Sequence, residues 1–128
     1  MKKVILTSKA PAPIGPYSQA IYHNWTLYIS GQIAINPENG ELVTDSIEEE
    51  THRVLMNISA ILEEAGMDFN HVLKCSVFVK DMNMFSRINA VYAQYFNSDR
   101  PPARELVEVS NLPRFVNIEI SAIAIINH

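Results

Sequence analysis

The chain has a single cysteine, Cys75, in 128 residues. No disulfide can form within it, and a reducing, cytoplasmic setting is the expectation. Long apolar runs are missing too. After Lys2 and Lys3 comes only the short stretch Val4-Ile5-Leu6, far below a secretory core or the ~20 apolar residues of a membrane-spanning helix. Positive charge is scarce: ten Lys and Arg stand against fourteen Asp and Glu, a net charge of −4. That balance argues against a surface built to neutralise phosphates, so neither nucleic acid nor membrane is an expected partner. The four histidines, 23, 52, 71 and 128, show no metal-ligand spacing, and no metal is expected. There is no internal repeat or low-complexity tract. The four glycines and seven prolines fall singly or in short clusters between periodic segments, which reads as punctuation within one domain covering residues 1–128.

What is present is an ordinary globular composition, 48% hydrophobic and 19% charged. Residues 3–7 read as a short edge strand, and APAPIGP follows as an ordered but irregular loop. Residues 18–22 and 26–35 read as a hairpin around His23-Asn24, with Leu27, Ile29, Gly31 and Ile33 on one face. NPENG is a turn. Ser46 with Glu49 forms a capping-box pattern, and three glutamates sit in the first turn of a helix whose stripe runs from Ile47 through Val54, Ile58 and Ile61 to Ala65. Gly66 is its stop.

Residues 72–80 alternate as a strand, with Leu73, Cys75, Val77 and Val79 on the apolar side and Ser76 and Phe78 on the other. Cys75 in that company reads as a small buried hydrophobe rather than a nucleophile. Asp81 or Asn83 caps a second helix, with Phe85, Ile88, Tyr92 and Tyr95 as its stripe and an end near Asn97. Residues 103–109 and 117–126 are the last two strands. The fold class is α+β: a mixed sheet with two helices packed on one face. Two helices leave the second face of the sheet open, which predicts a homo-oligomeric interface there.

Arg104 stands out within RPPARELVEVS. With Val107 and Val109 turned toward the helices, alternation puts Arg104, Leu106 and Glu108 on the interface side. Glu119 points to that side as well, but the register between the last two strands is left open. Arg104 is either a solvated charge or ion pair, with Glu105 or Glu108 as partner, or a grip on an anionic ligand. Tyr17 and Glu119 likewise have bland readings, as a cover over the core and as an exposed strand residue.

The blocks APAPIGPYSQA, LYISGQIAINPENGEL, VFVKDMNMFSRINAVYAQYF, RPPARELVEV and LPRFVNIEISAIA, in this order over nearly the whole chain, resemble the Rid (YjgF-type) family of imine deaminases. The resemblance implies a chorismate-mutase-like fold, a homotrimer with a cleft at each subunit interface, and no cofactor. It also implies hydrolysis of short 2-imino acids, such as 2-iminobutanoate and 2-iminopropanoate, to 2-oxo acids and ammonia. By position, Arg104 matches the arginine that holds the substrate carboxylate, Glu119 the acid that places a water, and Tyr17 a tyrosine lining the cleft. Ser30 and Gly31 match backbone beside the ligand, and Asn89 an asparagine of the same motif. Leu106 stands where many members have cysteine. A thiol chemistry is excluded there, while the backbone N–H contact is retained. The rival functions are a non-enzymatic binder of small carboxylates, a chaperone-like trimer, and a ribonuclease, the last disfavoured by the acidic balance.

Overall fold

Ser46 opens the longest helix, α1 (Ile47–Glu64), its hydroxyl accepting the Glu49 N–H at 3.1 Å, with Glu48, Glu49 and Glu50 at the positive end of the helix dipole. Among the described residues, the return bond of a capping box is absent. At the other end Gly66 takes φ 74°, which lets its N–H reach Glu63 O and the Met67 N–H reach Leu62 O. This closes the helix as a Schellman motif. Because no neighbouring atom lies within 4 Å of where a methyl would go, Gly66→Ala isolates the backbone cost. It is expected to destabilise by about 1–2 kcal/mol in urea unfolding with an unchanged m-value.

The computed structural model describes residues 1–126. The other elements are β1 (Lys3–Ile5), β2 (Ala20–His23), β3 (Thr26–Gln32), β4 (Val72–Val79), α2 (Phe85–Tyr92), β5 (Ala103–Glu108) and β6 (Ile118–Ile125). They form one six-stranded sheet in the order β1-β2-β3-β6-β4-β5, antiparallel except for the β4–β5 pair. Helix α1 lies across β3 and β6 with α2 beside it. The core sits between, with Leu27 on β3, Leu55 and Ile58 on α1, Val77 on β4, and Ile118 and Ile120 on β6 all buried. This is the mixed sheet with two helices on one face that the pattern predicted. No helix among the described residues is long and apolar enough to cross a membrane.

Four expectations need correction. Leu73 does not share the inner face of β4. A register shift between Val72 and Lys74 turns Val72 inward and leaves Leu73 53% exposed. Gly31 does not share a face with Leu27 and Ile29, because the register with β6 shifts between Ile29 and Gln32, turning Gly31 against Glu119. The second helix ends at Tyr92, and Gln94 and Tyr95 continue only in tight three-residue turns.

The fourth correction concerns β5. In the parallel register Cys75 pairs with Arg104 and Val77 with Leu106. Cys75 and Val77 face the helices, so Arg104 and Leu106 do too, and Val107 is 43% exposed on the outer face. The valines misled because β5 is an edge strand. Its inner side meets the aromatic flank of α2 instead of a dry core, and its outer side is open.

On that outer face an apolar row, Val4, Ile21, Tyr28 and Ile123, crosses four strands at paired positions. Val4 and Tyr28 are more than half exposed, and no helix among the described residues covers the row.

Candidate functional site

A cavity of about 300 Å³ opens where β3 ends, lined by Tyr17, Gln19, Ser30, Gly31, Pro113 and Glu119 among others. Gly31 is there because nothing larger fits. A Cβ at that position would lie 2.7 Å from Glu119 Cδ and 2.9 Å from its Oε2. The close approach of backbone to carboxylate half-buries Glu119, and burial pushes its carboxyl above the ordinary glutamate range. Such a group holds a proton more readily than a surface acid, which is the property a proton-transfer group needs.

The opposite wall is the APAPIGP loop. Gln19, 1% exposed, organises it: its Oε1 accepts the Thr7 N–H at 2.8 Å, while its Nε2 reaches the carbonyls of Thr7, Ala10 and Pro11. The Tyr17 hydroxyl accepts the Ile14 N–H at 3.1 Å, and the ring remains 46% exposed toward the cleft. Ser30 donates its hydroxyl to Ser18 O at 2.6 Å and its N–H to Gln19 O, stitching β3 to the loop. Below, the fully buried Asn57 of α1 donates to Ile33 O and Ile35 O, satisfying the irregular backbone that follows the bulge.

Arg104 lies elsewhere. Its Nη1 donates to Asn89 Oδ1 at 2.8 Å, and the guanidinium stands 4.8 Å from the Tyr92 ring centre and 5.9 Å from that of Phe85. Among the described residues no carboxylate pairs with it. Glu105 is engaged by Lys74 at 3.2 Å and Ser76 at 2.8 Å, and Glu108 accepts the Met82 N–H. The ion-pair reading of Arg104 therefore fails, and most of its donors stay available. Leu106 packs against the edge of the core. Val109 donates its N–H to Val79 O, so by the alternation of a strand the Leu106 N–H points to the free edge of the sheet.

Cys75 lies beneath, paired with Arg104 and buried, and burial raises its thiol well above the reactive range. The Tyr92 hydroxyl is buried beside that thiol without a well-formed hydrogen bond. Its acidity is suppressed by the same burial.

The candidate residues thus fall into two groups. Tyr17, Ser30, Gly31 and Glu119 converge on the outer-face cavity, and Arg104, Asn89 and Leu106 gather on the helix side of the edge strand. The sheet lies between them, so one chain does not bring Arg104 to Glu119. The expectation that both share one face is overturned by the parallel β4–β5 register.

Sequence reasoning missed Gln19, Glu50 and Asn57 as supports. The signal was available, since Glu50, Thr51 and Asn57 interrupt an otherwise apolar helical stripe and all three are fully buried. Two of the described histidines are structural: His52 Nδ1 meets the Tyr95 hydroxyl at 2.8 Å, and His71 caps the turn at Asp68. His23 is exposed, and His128 lies outside the described residues. No group of three or more His, Cys, Asp or Glu converges as a metal site among the described residues.

Residues 7–126 match the family model described as Endoribonuclease L-PSP. A RutC family protein of Pyrococcus horikoshii is 56% identical over 124 residues, spanning 97% of this chain and 98% of that protein. The 2-iminobutanoate/2-iminopropanoate deaminase of mouse is 47% identical over 125 residues, spanning 98% of this chain and 92% of that one. Among solved structures, a putative endoribonuclease of Thermotoga maritima superposes with a TM-score of 0.96 at 51% identity over the full length of both chains. Escherichia coli TdcF with bound serine superposes with a TM-score of 0.92 at 38% identity, covering 98% of this chain and 99% of that one. With residues 7–126 matched by the family model and the whole fold superposed, the chain belongs to the Endoribonuclease L-PSP family, the YjgF/RutC/Rid family that includes 2-iminobutanoate/2-iminopropanoate deaminases.

Proposed function

We propose that the protein hydrolyses short 2-imino acids, 2-iminobutanoate and 2-iminopropanoate, to 2-oxo acids and ammonia, at sites shared between copies in a homotrimer. The observation that carries this reading is the division of the site. An arginine that no carboxylate among the described residues pairs with lies on one side of the sheet, and a half-buried carboxyl beside a cavity lies on the other. Each half is complete locally and useless alone. Apposing the edge strand of one copy to the outer face of the next joins them and covers the apolar row Val4, Ile21, Tyr28 and Ile123. The serine bound to TdcF belongs to the same class of small carboxylate ligand.

The chemistry follows from the groups. The planar fork of Arg104, steadied by Asn89 and the Tyr92 ring, pairs with the substrate carboxylate. The Leu106 N–H at the free edge adds a donor. Glu119 takes a proton from a water as the water oxygen adds to the imine carbon, and the C=N pair moves onto nitrogen. Glu119 then returns the proton to that nitrogen to give the carbinolamine, takes the proton of the new hydroxyl and passes it to the amino nitrogen. As the C–N bond breaks, its electron pair leaves with ammonia while the oxygen lone pair closes the carbonyl. Tyr17 and Ser30 orient the water and the imine. Free imines already hydrolyse in water, so positioning plus one acid–base group is sufficient.

A threonine dehydratase releasing 2-iminobutanoate in the presence of a trapping nucleophile supplies the test. Addition of the protein is expected to speed 2-oxobutanoate formation at the expense of the trapped product, and light scattering to report three chains. Tight 2-oxobutanoate binding without acceleration would replace the enzyme with a carboxylate binder, and a monomer that still turns over would refute the shared site.

A further inference from the structure

Glu50 is a carboxylate with no exposure at all, set in the first turn of α1. Among the described residues no cation pairs with it. Its two oxygens are instead taken by one residue: Oε2 accepts the Asn117 N–H at 2.8 Å, and Oε1 accepts the Asn117 Nδ2–H at 2.8 Å. Asn117 also gives its carbonyl to the Lys80 N–H. The residue is therefore held on both sides just before β6 begins, two positions ahead of Glu119.

The segment in front of it is unusual. Arg114 and Phe115 both adopt left-handed backbone, φ 54° and 58°, which side-chain-bearing residues avoid, and Phe115 is 78% exposed, so packing of its own ring does not hold it there. Two N–H groups close the turn, Phe115 to Leu112 O and Val116 to Pro113 O, and only Leu112 and Val116 anchor it in apolar surroundings. Pro113, at its tip, lines the same cavity as Glu119.

We infer that Glu50 is a positioning residue of the cleft. The two hydrogen bonds it accepts from Asn117 stabilise the left-handed turn at 114–115 and set both Pro113 and Glu119 against the cavity. A carboxylate is needed because both partners are donors. Glutamine offers one acceptor and would push an NH2 against the second donor. The inference deepens the proposed function and rests on it for its kinetic reading, but the clamp itself does not depend on it.

The test compares Glu50→Gln, Asn117→Asp and the double variant in the full chain. Glu50→Gln is expected to lower kcat for 2-iminobutanoate at least tenfold. Affinity for 2-oxobutanoate, which the Arg104 side anchors, should stay within threefold, and amide exchange should rise at least tenfold across residues 112–117 but not in the body of α1. The double variant reverses the side-chain bond, since the new amide donates to the new carboxylate while still accepting the N–H at position 117. It is expected to recover most of the lost kcat and the lost protection. A merely structural role predicts neither the kcat-only effect nor the rescue. The inference is overturned if kcat of Glu50→Gln stays within twofold of wild type, if binding falls as far as kcat, if exchange rises evenly through the sheet, or if the double variant is no better than the worse single one. Wild-type protein without imine hydrolysis removes the proposed function instead. The clamp is then decided by exchange and its rescue alone.

Discussion

Arg104→Ala is expected to lower kcat/KM for 2-iminobutanoate about a hundredfold, since two charge-assisted hydrogen bonds to the carboxylate at about 1.5 kcal/mol each amount to about 3 kcal/mol. The fold should tolerate the change. The side chain is only part-buried, and among the described residues it meets Asn89 and two aromatic rings rather than a buried acid. A melting temperature close to wild type would therefore accompany the loss. Arg104→Lys separates charge from geometry. Lysine keeps the positive charge but presents a point where the carboxylate needs a planar fork, so only part of the activity should return. Steady-state kinetics of the three proteins in the coupled dehydratase assay decide this. Alanine turnover within threefold of wild type would remove Arg104 from the site.

Glu119→Gln carries the second large effect, and it moves activity and stability in opposite directions. Loss of a positioned acid–base group should reduce kcat by about 10²–10⁴. Stability follows from linkage. Burial raises the Glu119 carboxyl in the folded chain above its unfolded value. The folded state therefore binds the proton more tightly, and its advantage is complete below the unfolded pKa. That advantage is lost as pH rises through the folded pKa, leaving a penalty above it. Glutamine has no such penalty. The variant should melt above wild type at pH 8, and the gain should vanish near pH 3.5, where both side chains are neutral. Equal differences at both pH values would mean that burial does not disfavour the Glu119 charge. Gly31→Ala reaches the same carboxyl by steric means, because its methyl would sit 2.7 Å from Glu119 Cδ. It should depress kcat without the stability gain.

These two residues also show how far local pattern reaches. Alternation holds along β6, with Ile118, Ile120, Ala122 and Ala124 inside and Glu119 outside, because β6 is a central strand with a dry face against α1. The same rule failed on β5. An edge strand has no such contrast between its faces, so Val107 and Arg104 traded the sides their polarity suggested. Asn89 was legible only as part of a motif, and its bond to Arg104 gives it a role. Glu50 was legible only as charge for the helix start, although its burial and its two bonds to Asn117 make it a support of the cleft.

By itself the amino-acid sequence determined the order of the elements, the ends of α1, the α+β class and the residue types available for chemistry. Each of these rests on interactions a few positions apart: a cap at i to i+3, a stripe at 3.6 residues per turn, a turn that needs glycine. Tertiary structure alone decided that Gly31 meets Glu119 through a register shift, that Arg104 faces α2, and that the sheet separates the two. Those facts depend on register and on which strands become neighbours. In β4, β5 and β6 the partners are separated by some 30 to 50 residues of chain, a distance over which periodicity carries no information about faces.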